Sequence, residues 1–138
     1  MMWRIEPPTI CVFLLLLFCA GCGGSKLAAV EGKVTLDGKP LSGVSVTFFP
    51  AGASVNDPRL FRGVTDSDGH YVLIDPAKGR GGAEPGKYRV TLTSAVAGPN
   101  DIETTPLPPE RVPSKYRESS FEVPAGGTRD ANFDMKSK

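Results

Sequence analysis

Cysteine is scarce here and confined to one end. The three in the chain, Cys11, Cys19 and Cys22, all fall within the first 22 residues. The rest of the chain therefore has no disulfide framework and no thiol for catalysis or metal binding. Histidine is scarcer still: His70 stands alone, which excludes any site built on two or more imidazoles. The single tryptophan, Trp3, belongs to the leading stretch. An excess of one charge is missing too. Lys and Arg number 16 against 15 Asp and Glu, and the cations are dispersed, so nothing electrostatic points to nucleic acid. No apolar run reaches the roughly 20 residues of an ordinary spanning helix, and no stretch carries the spacing of a useful amphipathic helix.

What the chain does have is Gly and Pro, 16 and 13 of them. That is enough to raise disorder as a rival reading, but these residues punctuate alternating apolar segments instead of forming tracts. Val30, Gly32, Val34 and Leu36 alternate with Glu31, Lys33, Thr35 and Asp37, as a strand with one buried face requires. Asp37-Gly38-Lys39-Pro40 then turns the chain. Val44, Val46 and Phe48 share the next inward face, with Ser45, Thr47 and Phe49 outward. A short strand is expected at Leu60–Val64, and Thr65-Asp66-Ser67-Asp68-Gly69-His70 turns into another at Tyr71–Ile74. Asp75–Gly86 reads as a loop. The cleanest alternation follows, with Tyr88, Val90 and Leu92 inside and Arg89, Thr91 and Thr93 outside. The last strands are expected at Ser120–Val123 and Ala131–Met135. About seven short one-sided strands are most economically buried as an all-β, antiparallel two-sheet sandwich.

Between Ser94 and Ser119 the pattern fails. Pro99, Pro106, Pro108, Pro109 and Pro113 rule out a central strand or a helix over most of this stretch. So long a connection is either functional or held by its own anchors, for which Leu107, Val112 and Tyr116 are the apolar candidates. The stiff backbone together with Arg111, Lys115, Tyr116 and Arg117 makes it the best surface for recognition.

Ile10 to Phe18 is an uninterrupted apolar run, too short to span a membrane but suited to a signal peptide core. It ends in Cys19-Ala20-Gly21-Cys22, which resembles the lipobox of bacterial lipoproteins, with Cys19 where Leu is usual. The resemblance implies lipidation of Cys22 and cleavage just before it. Several acyl chains would anchor the protein stably, since each buried CH₂ contributes roughly 0.8 kcal/mol. The expected organisation is a signal peptide at 1–21, a lipidated cysteine and flexible tether at 22–28, and a sandwich at 29–138 with a Pro-rich insertion at 95–119. The expected address is the exported face of the cell membrane or outer membrane.

Val30-Glu31-Gly32-Lys33-Val34-Thr35-Leu36-Asp37-Gly38-Lys39-Pro40-Leu41-Ser42-Gly43-Val44, then Thr65 to Tyr71, then Pro85-Gly86-Lys87-Tyr88-Arg89-Val90, resemble the carboxypeptidase-regulatory-like domains. Their fold is a transthyretin-like or prealbumin-like β-sandwich with Ig-like architecture. Val112 to Tyr116, Ser119 to Val123 and Asn132-Phe133-Asp134 resemble a group of planctomycete-type lipoproteins carrying that domain. The resemblance implies a stabilising or adhesive module, not an enzyme, with no cofactor and with an envelope protein or glycan as partner. The alternative is a carbohydrate- or small-ligand-binding module, for which Tyr71, Tyr88 and Tyr116 offer stacking surfaces. Tyr116-Arg117-Glu118-Ser119 resembles the Tyr-Arg-Gly-Ser of hydroxyisourate hydrolases only superficially, because Glu118 replaces the glycine and one histidine cannot supply the His set. Asp66 and Asp68 have the spacing that opens a Ca²⁺ loop but lack its downstream ligands. Hydrolytic chemistry would need carboxylates converging on His70.

Overall fold

The computed structural model describes residues 26–54 and 56–138. The segments expected to be a signal peptide (1–21) and the start of a tether, with Cys22, lie outside the described residues. The strands in chain order are β1 (Glu31–Leu36), β2 (Lys39–Pro40), β3 (Ser45–Pro50), β4 (Phe61–Val64) and β5 (His70–Val72), then β6 (Ile74–Asp75), β7 (Arg80–Gly81), β8 (Gly86–Thr93), β9 (Glu118–Val123) and β10 (Phe133–Met135). Three of these, β2, β6 and β7, have only two residues. Among the described residues no helix is long and apolar enough to cross a membrane.

Two sheets form. The smaller has β1 at its centre, with β10 on one side and β2 and β5 on the other, while the larger runs β7-β6-β4-β3-β8-β9. β1 turns into β2 through Asp37 and Gly38, at φ 51° and 79°. Positive φ at both central residues is what a two-residue hairpin matching strand twist demands. Among the described residues every strand pair is antiparallel except one: β1 lies parallel to β10, Val34 opposite Phe133. The wholly antiparallel sandwich expected from the alternation is corrected there. A local pattern shows which face of a strand is dry, but not which distant strand will lie beside it.

The expected strand Tyr71–Ile74 is two strands in different sheets. Tyr71 pairs with Gly32 of β1, whereas Ile74 pairs with Arg62 of β4. The corner is Leu73, fully buried. Its N–H donates to the Val30 carbonyl at 2.9 Å and its carbonyl accepts from Gly82 N–H at 2.7 Å. The expected loop Asp75–Gly86 accordingly contains β7 and closes back on β6.

The core between the sheets holds Val30, Val34, Val46, Phe48, Tyr71, Leu73, Tyr88, Val90 and Leu92, with Val112, Val123 and Met135 closing it. Tyr88 packs edge-on to Phe61 at 5.8 Å and tilted to Phe48 at 5.6 Å, the arrangement ring quadrupoles favour. Folded structure begins earlier than the alternation alone shows. Leu27 packs on the core and Ala28 exchanges both backbone hydrogen bonds with Ala83, at 2.8 and 2.9 Å.

Among the described glycines, Gly32 has the tightest backbone approach. The segment entering β10 runs along β1 with Val30 opposite Thr128 and Val34 opposite Phe133, so it holds one residue more than the strand it follows. That extra residue pushes the Ala131 carbonyl over Gly32, where a Cβ would lie 2.0 Å from the oxygen. The same oxygen accepts the Tyr71 hydroxyl at 2.6 Å. Burial pushes the Tyr71 phenol well above its ordinary pKa, so it stays a donor.

Candidate functional site

The Pro-rich segment leaves the sandwich at the end of β8 and returns beside it. Its two ends meet at Glu110. This carboxylate accepts from the Thr93 hydroxyl, from Ser94 N–H at 2.8 Å, from the Ser94 hydroxyl at 2.9 Å and from Val112 N–H at 3.0 Å. Ser94 Oγ in turn accepts from Arg111 N–H at 2.6 Å. Burial alone would raise the Glu110 pKa, but these hydrogen bonds outweigh it and bring the carboxyl down to about 2. The Arg111 guanidinium donates to the Ser42 carbonyl in the β2–β3 turn. That turn is braced by Thr65, whose hydroxyl donates to Leu41 O at 2.7 Å and accepts from Val44 N–H at 2.9 Å.

The neck thus closes an Ω-type loop over 95–109. Two successive turns shape its outward limb. Gly98 N–H donates to the Asp101 carboxylate at 2.6 Å, and Thr105 N–H donates to the Ile102 carbonyl at 2.8 Å. Residues 99–109 are exposed throughout, with Ile102 at 71% and Leu107 at 57%. Leu107 is therefore not an anchor. The clamp that holds the loop is polar, and a clamp at the neck leaves an apolar side chain at the tip with nothing to pack on. Val112, at 1% exposed, is buried as expected, and Tyr116 packs on the core.

At its root the loop also passes beside Ser45, one of two burials that alternation does not explain. Ser45 and Thr47 point to the outer face of the large sheet yet are only 3% and 5% exposed. Ser45 sits between Val64 and Thr93, and Thr47 between Arg62 and Thr91. Val96, Ala97, Gly98 and Pro99 pass alongside, leaving a groove of about 480 Å³ against Ser45, Arg62 and Val64.

The four residues singled out as a recognition surface have structural contacts as well. Arg111 staples the neck. Lys115 is exposed, its Nζ 4.9 Å from the centre of the Tyr116 ring. The Tyr116 hydroxyl accepts from Lys136 N–H at 3.2 Å, and Arg117 Nε donates to the Val112 carbonyl at 3.2 Å. Lys115 and Tyr116 fall in a short 3₁₀ turn (Ser114–Tyr116) that leads into β9. Glu110, the residue that organises the neck, was not singled out from the sequence. Its signal was a lone carboxylate inside a proline run, next to Arg111.

Two of the three tyrosines offered for stacking are in the core: Tyr71 is 1% exposed and Tyr88 is 5%. The Tyr88 hydroxyl donates to the Glu84 carbonyl at 2.6 Å, and burial, with Glu84 nearby, pushes its pKa up to about 12. Both rings lie on inward positions of their strands, so their faces are spent on packing. Tyr116 alone keeps part of its surface in solvent.

His70 does have carboxylates near it. Glu31 Oε2 lies 3.6 Å from Nε2 and Asp66 Oδ2 lies 3.9 Å from Nδ1, with Arg129 3.4 Å from Glu31. Neither distance to the imidazole is a hydrogen bond, so the ring is not oriented as a general base requires. The group is a loose surface charge cluster. Asp66 is a turn-builder: its Oδ1 accepts from Asp68 N–H at 2.9 Å and His70 N–H at 3.0 Å. Two further acids, Asp57 and Asp75, are engaged elsewhere. Asp57 is held by Arg59 at 2.7 Å, which lowers its pKa to about 2, and Asp75 accepts from Ala77 N–H at 2.9 Å. Among the described residues no group of three or more His, Cys, Asp or Glu converges as a metal ligand set. His70→Gln is expected to shift unfolding stability by less than about 0.5 kcal/mol, as exposed loose ion pairs do. A urea titration checks this.

No family model, no curated protein and no solved structure matches the chain.

Proposed function

We propose that this chain is a non-enzymatic, lipid-anchored module of the cell envelope. It is read as a β-sandwich of the carboxypeptidase-regulatory-like, transthyretin-like kind found in planctomycete-type lipoproteins. Its work is to present a stiff contact surface to another envelope protein, close to the membrane. The observation that carries this reading is the loop over 95–109. It exposes Ile102 and Leu107 on a neck fixed by Glu110 and Arg111. Apolar side chains held out on a pre-ordered loop lose little conformational freedom on binding, which is the physical profile of a recognition element. The four prolines of the exposed limb, Pro99, Pro106, Pro108 and Pro109, restrict it further.

The address is tested on Cys22. In a bacterium with lipoprotein processing, the wild-type chain is expected to be cut before Cys22, to carry the mass of its acyl groups and to partition into detergent. Cys22→Ser is expected to leave it unprocessed or to release it into the soluble exported fraction. A cleaved Cys22→Ser product that still enters the detergent phase overturns lipid attachment.

A further inference from the structure

The outer edge of β9 ends the large sheet, and its backbone geometry can be read off the ladder. Leu92 N–H donates to the Arg117 carbonyl at 3.1 Å, and the same register continues as Thr91 opposite Glu118 through Gly86 opposite Val123. Bonded and non-bonded pairs alternate along an antiparallel ladder. Ser119, Phe121 and Val123 therefore exchange bonds with β8, while the N–H and C=O groups of Glu118, Ser120 and Glu122 point away from it. Among the described residues no strand lies on that side.

A row of unpaired donors and acceptors is a template for another strand, and the side chains decide which. A second copy of this chain is disfavoured. In the antiparallel register that overlaps Glu118 to Glu122 completely, each glutamate faces the other's counterpart, and like charges directly opposite repel. Pro124 ends the edge on one side. The Arg89–Glu118 pair is long, at 3.9 Å, and Glu118 stays 65% exposed, so its carboxylate is open to a new cation. On the inner face, Phe121 is half-buried beside Phe133, ring centres 6.5 Å apart. Next to it Ser119 Oγ is buried without a hydrogen-bond partner, an unpaired group that calls for an explanation.

We infer that the outer edge of β9 is a strand-addition site for an extended protein segment carrying two basic residues four apart. These face Glu118 and Glu122, and aliphatic residues between them cover Phe121. Main-chain bonds to Glu118, Ser120 and Glu122 supply the attraction, and the alternate side chains supply selectivity. The surface does not use the loop over 95–109, so it stands or falls separately from the loop reading.

The test uses the full chain in a mild non-ionic detergent and the peptide acetyl-Thr-Lys-Val-Thr-Val-Lys-Thr-amide. Without peptide, the amides of Glu118, Ser120 and Glu122 are expected to exchange with solvent freely, while Ser119 and Phe121 are protected. Saturating peptide should slow the first three by at least about tenfold and leave the other two as they were. Replacing both peptide lysines by glutamate should weaken binding about tenfold, and the E118K/E122K chain should reverse that preference. A chain with residues 96–109 replaced by a short Gly-Ser link should bind as wild type does. Equal affinity for the two peptides, protection gained elsewhere, or no binding by a chain that keeps its β spectrum each overturn the inference. Loss of binding on shortening the loop would move the site there and overturn it as well.

Discussion

Gly32→Ala is expected to destabilise the fold by about 3–5 kcal/mol, combining overpacking strain with the loss of a buried hydrogen bond. The new methyl would sit 2.0 Å from the Ala131 oxygen and 2.4 Å from its carbon. Both are backbone atoms, so no side chain can swing aside. Relief requires the segment entering β10 to lift away from β1. That movement breaks the bond from Ala131 N–H to Glu31 O at 3.2 Å and the one from Lys33 N–H to Asn132 Oδ1 at 2.9 Å. It also orphans the Tyr71 hydroxyl, in a residue only 1% exposed. Such a loss is a large part of the roughly 5–15 kcal/mol that holds a domain together. Urea unfolding measures it, with Gly126→Ala as control, because nothing lies within 4 Å of a Cβ there. Tyr71→Phe removes the hydroxyl alone. In that background Gly32→Ala should cost less than in wild type, since the two changes share one carbonyl. Equal costs in both backgrounds would sever the link drawn between glycine, carbonyl and tyrosine.

The second large effect is at Glu110 and depends on pH. Its carboxyl sits at about 2 in the folded chain against an ordinary value of 4.5. Well above pH 4.5 the group is ionised whether the chain is folded or not, and its contribution is complete. As pH falls below that, the unfolded chain takes up the proton first, and stability drains away until the folded carboxyl titrates near 2. The loss over that window is expected to be about 1–2 kcal/mol, reduced from the full shift because the group is partly open to solvent and screened. Glu110→Gln should remove this pH dependence and loosen the neck at every pH. The amide keeps one acceptor, whereas Thr93, Ser94 and Val112 need both oxygens. Hydrogen exchange at Ser94 and Val112 reads the neck directly, and acid titration of the urea midpoint reads the linkage. A variant whose acid sensitivity between pH 4.5 and 2 matches wild type would show that other carboxylates dominate it.

How much of this was legible in the sequence varies with how local the cause is. Asp37-Gly38 announces its hairpin because two adjacent residues hold all the needed positive φ. Tyr88, Val90 and Leu92 announce their burial because an eight-residue strand leaves the period of two little room for error. Leu73 conceals its corner, since a strand that changes sheets keeps the same alternation on both sides of the change. Ser45 and Thr47 read as solvent-facing, and they are buried by neighbouring strands and, at Ser45, by a loop root that local pattern does not include. Leu107 reads as an anchor because it is apolar, but the neck is closed by a carboxylate only three residues on, whose polar clamp needs no apolar packing. Gly32 was readable in principle: a glycine inside a well-patterned strand marks close backbone approach. Its neighbour, nearly a hundred residues on, was not.

The one parallel pairing sets a timetable for the fold. β1 is among the first pieces of the sandwich to be made, yet its bonds to the 128–135 segment span 99 residues at Asn132 and Asp134. Contacts that distant are formed late and slowly, because the intervening chain must be brought to order before they repay its closure. The smaller sheet is thus completed only after Met135 has been synthesised. Until that segment docks, β1 lacks its neighbour on one side and the Tyr71 hydroxyl lacks its acceptor, so the contact among Gly32, Ala131 and Tyr71 closes last.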